Sequence, residues 1–426
     1  MDIFRNINTG AFMKNKIISI GLTVIAGFGL ALSQGFTISG TSLKDANGNT
    51  FIQKGFAIPL AWFVSDVNGN IANMKKNSNG NCFRIVMTEG MADNDWHTCV
   101  SSCIANKVIP EVELHDVTCG TDASGLNTAA KWWVSKASYL TQASIAKYIL
   151  INIANEWGDW NMAKTNPAAW ASAYQTAVAT MRSGGINTTL IIDAPDCGQD
   201  LNNGSTLIKY AMTVFNSDPK KNCLFTVHLY GEWCPGGGST PSVGLPAIKN
   251  AGIPFIVGEF ADQSSAGNLD EKSVMSTCET NKIGWMAWSW KGNNEPVIDM
   301  CNDWAGTSLT TWGQTAINGA YGTKTATTCS VFTGNTDTKT PENASITGPD
   351  VHVSLNPLLK GVVNVELHGL TGVTVIKIID INGKLVQEQT SVNGQKFQLN
   401  THADSGVFIV KVINAQKIFA RKIFVR

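Results

Sequence analysis

Short apolar runs recur along most of the chain, each bounded by Gly, Asn, Asp or Pro. Eight of them occupy residues 53–58, 83–87, 108–114, 149–153, 188–192, 224–229, 254–257 and 284–289. Runs of this length without polar alternation predict parallel strands buried on both faces. The stretches between them are long enough for a helix and two loops. One such helix is legible in detail. Asn166 and Pro167 open it, Gly184-Gly185 closes it, and Trp170, Tyr174, Ala177, Val178 and Met181 recur on one stripe. Regular alternation of this kind predicts an α/β fold, a (β/α)8 TIM barrel over residues 34–321.

The pattern differs on either side of that region. Residues 36–53 predict a hairpin that turns at Asn47-Gly48-Asn49 and can plug the bottom of the barrel. Residues 322–348 are rich in Thr, Ser, Gly and Asn with no apolar period and predict a linker, anchored at most by Cys329; Asn343 stands in a glycosylation sequon. Seven short runs follow, at 351–355, 362–367, 373–381, 383–389, 396–399, 406–413 and 417–425, with Asn-Gly turns at Asn382 and Asn393. They predict a small all-β sandwich over 349–426. At the other end, Lys14 and Lys16 precede an apolar stretch from Ile17 to Leu32, and Ala31-Leu32-Ser33 has the small residues of a cleavage site. Residues 1–33 therefore predict a signal peptide, with Met13 as an alternative start, and an exported protein.

Composition narrows the partners. A length of 426 residues suits one large and one small domain. The formal net charge is zero, which leaves no basic field for nucleic acid or anionic lipid. Only 15% of residues are charged, while Trp occurs 13 times; a neutral ligand with flat apolar faces, such as a sugar, fits that surface. Most single Trp residues are expected to fill the core. All ten cysteines lie between Cys82 and Cys329, and an even count in an exported chain predicts disulfides. Cys99 and Cys103 are one helical turn apart and form a candidate pair; the full pairing stays open.

Two of the apolar runs lead into glutamates. Glu156 follows the fourth (YILINIANEWG) and Glu259 the seventh (IPFIVGEF). A carboxylate where a barrel strand opens outward faces the ligand side. Two of them, on separate strands, are the minimum equipment for cleaving a glycosidic bond. Asn155 beside Glu156 can hold a sugar hydroxyl, and Arg84 and Tyr230 are the types to stabilise a Glu259 anion. His115, His228, Trp288 and Trp290 stand at or just past other strand ends. Zinc-protease, nucleophile-elbow, Walker and dinucleotide motifs are absent from the sequence. Glu111, Glu113 and His115 lie along one strand without a His-x-His pair, a poor metal set.

These segments resemble glycoside hydrolase family 5, and within it the bacterial endo-β-1,4-mannanase subfamily 8. The likeness runs through FRIVMTEG (83–90), VIPEVELHDVTCG (108–120), ILINIANEWG (149–158), LIIDAPDCGQD (190–200), TVHLYG (226–231), IVGEFA (256–261) and GWMAWSWKGN (284–293). It implies retaining hydrolysis without cofactor or metal, with Glu156 as acid/base, Glu259 as nucleophile, and Arg84, His115, Asn155, His228, Tyr230 and Trp288 at substrate-binding positions. It favours mannan, glucomannan or galactomannan. Cys197 stands where close relatives carry Trp, and Cys234 is a candidate partner for it. The C-terminal pieces SLNPL (354–358), IIDINGKLV (378–386), SGVFIVKV (405–412) and ARKIFVR (420–426) resemble a type A sorting domain of the type IX secretion system. The expected partners are thus a plant β-mannan and the type IX machinery, with no nucleic acid, and the chain is expected to act as a secreted monomer. A β-1,4-glucanase of the same mechanism and a non-catalytic sugar-binding barrel are the alternatives.

Overall fold

The computed structural model describes residues 35–333, 350–355, 362–368, 372–380, 384–392, 396–403, 406–414 and 418–425. The predicted signal segment and the Asn343 sequon lie outside the described residues. Eight parallel strands close a barrel: β1 (Lys54–Ile58), β2 (Cys82–Met87), β3 (Ile109–Leu114), β4 (Leu150–Asn152), β5 (Leu190–Asp193), β6 (Cys223–Leu229), β7 (Phe255–Phe260) and β8 (Trp285–Ala287). They pair in chain order, and β8 returns to β1. All eight apolar runs became strands because each is buried on both faces, by neighbours inside the barrel and by helices outside. The helix Pro167–Ser183 buries the whole predicted stripe, Trp170 through Met181.

The bottom of the barrel is plugged as the sequence suggested, though the hairpin turns elsewhere. Its strands are Thr37–Ser39 and Ser42–Lys44, joined at Gly40-Thr41. Gly40 takes a left-handed φ of 58°, which favours glycine. Asn47 and Asn49 instead wrap around Asp45, whose carboxylate accepts both backbone N–H groups at 3.0 Å. Phe36, Leu43 and Phe51 then pack on residues near the strand starts, among them Cys82, Ile109, Leu150 and Met286. Burying each such Phe contributes about 1.5–3 kcal/mol.

The predicted linker starts too early. Residues 322–333 pack on this same end: Cys329 and Val331 are buried with the plug, and the Asn47 and Asn49 amides donate to the Ser330 hydroxyl. Thr323 donates its hydroxyl to the Ser78 carbonyl. The polar composition was misleading because these polar groups find partners. Contacts divide the chain between Asp337 and Thr338.

The C-terminal unit holds all seven predicted strands: β9 (Asp350–Leu355), β10 (Val362–His368), β11 (Val373–Asp380), β12 (Leu385–Val392), β13 (Lys396–Asn400), β14 (Gly406–Asn414) and β15 (Ile418–Val425). They form antiparallel sheets of order β9-β10-β13 and β12-β11-β14-β15. Val363, Val365 and Leu399 of one sheet meet Ile376, Ile378, Val410 and Val412 of the other, as in a sandwich.

Candidate active site

Glu259 lies within β7, and a bulge aims it. The β6–β7 pairing runs Val227 to Val257 and then His228 to Glu259, leaving Gly258 as an extra residue. A Cβ on Gly258 would lie 2.8 Å from His228 Nε2 and 2.9 Å from Thr226 Oγ1, so glycine alone fits. Glu156 is not at a strand end. It sits four residues past β4, in a tight turn with a left-handed φ of 49°. Asp193, the last residue of β5, accepts the Glu156 backbone N–H at 2.9 Å, and the Cys119 N–H donates to the Glu156 carbonyl at 2.9 Å. Oxygens of the two glutamates and a ring nitrogen of His228 converge within 4.8 Å of one another.

The two carboxylates differ in their hydrogen-bond partners, though His228 Nδ1 also stands 3.6 Å from Glu259. Arg84 Nη1 and the Tyr230 hydroxyl donate to Glu259 at 2.6 and 3.0 Å. Among the described residues the Glu156 carboxylate hydrogen-bonds His228 Nδ1 alone, at 2.7 Å, and its side chain is 13% exposed. Burial raises the Glu156 carboxyl above the usual carboxylate range; the His228 bond opposes this and Glu259 adds to it. Burial alone would lower the His228 imidazole, but Glu259, Asp193 and Glu156 surround it and raise it to about 9. Burial and the nearby Glu259 push the Tyr230 phenol well up, so it stays a donor. Asp193 goes the other way: burial would raise it, but His228 and Arg84 hold it below its ordinary value. The arrangement separates a carboxyl disposed to hold a proton from one held by a cation and a phenol.

The other predicted residues gather here, with one exception. Arg84 Nη2 donates to Asn155 Oδ1 at 2.7 Å, and Asn155 Nδ2 donates to Thr118 Oγ1 at 3.0 Å. His115 bonds Glu113 at 3.1 Å, and its ring stacks 6.1 Å from Trp288. Trp288 is half-buried and its indole N–H donates to Asn293 at 2.9 Å. Trp290 does not reach the mouth. It is fully buried, stacks on Phe56 at 4.7 Å and donates to the Trp304 carbonyl. Strand β8 ends at Ala287, so the alternation that would have put Trp288 and Trp290 on one face does not continue.

The cysteines also depart from expectation. One disulfide forms among the described residues, Cys119–Cys197; Cys99, Cys103 and Cys234 are buried free thiols. Cys197 therefore joins the loop after β3, not Cys234. Sequence reasoning also passed over Asp193 and Trp62. Trp62 is 55% exposed and meets the His115 ring edge-on at 5.5 Å. Asp193 ends an apolar run just as Glu259 does, so the rule that found one would have found the other.

The two regions are each similar to known proteins. Residues 44–294 match the model of the cellulase family, glycosyl hydrolase family 5, and residues 356–426 match a secretion system C-terminal sorting domain. A mannan endo-1,4-beta-mannosidase of Salipaludibacillus agaradhaerens is 33% identical, the alignment covering 70% of this chain and 96% of that protein. The Streptomyces lividans mannan endo-1,4-beta-mannosidase is 34% identical over 72% of this chain and 80% of its own. A solved Thermomonospora fusca beta-mannanase superposes with a TM-score of 0.64 at 33% identity, covering 70% of this chain and 99% of that one.

Proposed function

The chain belongs to glycosyl hydrolase family 5, and on that footing we propose that its barrel mouth hydrolyses internal β-1,4 bonds of mannan, glucomannan or galactomannan with retention of configuration. Glu259 attacks the anomeric carbon while Glu156 gives its proton to the departing oxygen. The bond to the leaving chain breaks as an ester to Glu259 forms. Glu156, now a carboxylate, takes a proton from water; that water attacks the anomeric carbon and frees Glu259. Arg84 and Tyr230 hold the attacking carboxylate, and the Asn155 amide, which has a second N–H beyond the one given to Thr118, serves as donor to a sugar hydroxyl. His115, Trp288 and Trp62 offer ring faces and edges for the sugar. Export follows from the C-terminal sorting domain, so the protein is secreted by the type IX route.

The observation that carries the reading is the separation of the carboxylate oxygens, within 4.8 Å. It supports direct attack, because an inverting pair stands about 6.5–9.5 Å apart to admit a water. In the test, Glu259→Gln and Glu156→Gln are assayed on soluble glucomannan, and NMR follows the first-formed anomer. Each variant is expected to lose activity by a factor on the order of 10⁴ and 10²–10⁴, respectively. The wild type is expected to release the β-anomer first. Full activity in either variant, or α-anomer release, overturns the mechanism. Cleavage of cellohexaose in preference to mannohexaose would move the substrate to glucan.

A further inference from the structure

The Cys119–Cys197 bond sits behind the catalytic turn. Three loops meet there. The loop after β3 donates from Cys119 N–H to the Glu156 carbonyl at 2.9 Å, and its Gly120 carbonyl accepts the Gly158 N–H at 2.9 Å. The loop after β5 donates from Cys197 N–H to the Gly158 carbonyl at 2.7 Å. The turn that carries Glu156 is thus gripped on both sides by backbone bonds, and the disulfide ties the two gripping loops together. Next along the chain, Gly198 presses on the site itself: a Cβ there would lie 2.8 Å from the His228 ring and 3.1 Å from Glu156 Cγ. The His228 backbone N–H donates to the Gly198 carbonyl at 2.8 Å.

Cys119, Glu156 and Cys197 all carry left-handed φ angles, of 55°, 49° and 50°. That region is unfavourable for any residue with a side chain, and it persists where surroundings over-determine it. Cys119 links the other two, by its N–H to the Glu156 carbonyl and by the covalent bond to Cys197, and that bond constrains all three.

We propose that the Cys119–Cys197 disulfide is a positioning element for Glu156, so that turnover depends on the bond being closed. This rests on Glu156 being the acid/base. Closure then couples activity to an oxidising surrounding such as the one outside the cell. Cys119 is half-buried, which leaves the bond open to reductant from the solvent.

The test uses the full chain and a water-soluble phosphine. The phosphine gives two electrons to the S–S bond, water supplies the two protons and the oxygen, and two thiols and a phosphine oxide result. Alkylation and mass measurement confirm that one disulfide has opened, at a temperature where circular dichroism shows the fold intact. Reduction is expected to lower kcat on glucomannan roughly ten- to a hundredfold while KM changes little. The loss in kcat/KM, which reports the first step, is expected to be smaller on an aryl mannobioside with a dinitrophenolate leaving group, whose departure needs no proton from Glu156. A Cys119→Ser/Cys197→Ser double variant is expected to match the reduced wild type and to ignore phosphine. If that variant does not fold, the reduced wild type alone decides. Unchanged kcat on glucomannan after confirmed reduction overturns the proposal, as does an equal loss of kcat/KM on both substrates. Should Glu156→Gln prove fully active, the acid/base reading fails instead, whatever the disulfide does.

Discussion

Two arginines are buried in this barrel, and they are buried differently. Arg182 lies on the outer helix Pro167–Ser183 with a side chain only 3% exposed. It meets Asp218 as a fork, Nε to Oδ1 at 2.9 Å and Nη2 to Oδ2 at 2.8 Å. Its remaining N–H groups donate to the carbonyls of Ile186, Thr188 and Asn222. Every guanidinium donor is used, against one carboxylate. Arg84, inside the barrel, is wholly buried yet makes two hydrogen bonds, to Glu259 and Asn155. Its Nε finds no hydrogen-bond partner among the described residues. Glu111, Glu113 and Asp193 stand 3.6–3.7 Å away, too far for bonds but near enough for charge. A structural arginine is saturated. The one under the proposed catalytic pair carries an excess of negative charge and spare donors, an arrangement that suits a reacting group sharing it.

The sharpest break of this contrast is Arg182→Met. It leaves the Asp218 carboxylate buried without its cation, with the Lys220 and Asn222 backbone N–H groups still donating to it, and urea denaturation is expected to show a loss of about 3 kcal/mol, with kcat of the folded fraction unchanged. Arg84→Lys should do the reverse. It keeps the charge but not the fork, so kcat/KM on glucomannan is expected to fall on the order of 10²-fold with little change in melting temperature. Asp193→Asn is milder. The amide oxygen still accepts the Glu156 N–H, but one of the three carboxylates raising His228 is gone. The His228 ring is expected to titrate at lower pH, read by NMR of labelled histidine, and kcat to drop roughly tenfold.

The smallest effect is in the pH dependence of melting. Burial would raise Asp218, but Arg182 depresses it to about 2. Its stabilisation is therefore complete above about pH 4 and is lost as pH falls toward 2. His228 is raised to about 9, so its stabilisation is complete below about pH 6.5 and fades as pH climbs through 9. Calorimetric scans across that range should show Asp218→Asn flattening the acid limb and His228→Gln the alkaline one. A variant that flattened the opposite limb would break the assignment.

These differences also mark what the chain reveals before folding. The barrel strands were legible because each is a local apolar run and burial on both faces is a local demand. Arg182 was not, since its partner arrives 36 residues later and its carbonyl acceptors carry no side-chain signature. The glutamates stood out by position, yet the left-handed turn at Glu156 and the bulge at Gly258 depend on neighbouring strands. Trp290 failed because it follows a strand that stops early. The Cys119–Cys197 pairing spans 78 residues and is set by how loops from different strands meet, which no spacing rule encodes.

The eight buried thiols have a practical bearing on how the protein is made. An unfolded chain has ten sulfurs free to join, and one native pairing among them. Renaturing it in an oxidising buffer would trap cross-linked side products. Once the barrel has closed, eight sulfurs are shielded from oxidant, and air then needs to join only the one remaining couple. Preparations are best renatured under reductant and oxidised afterwards, as the molecule's own packing then chooses the partners.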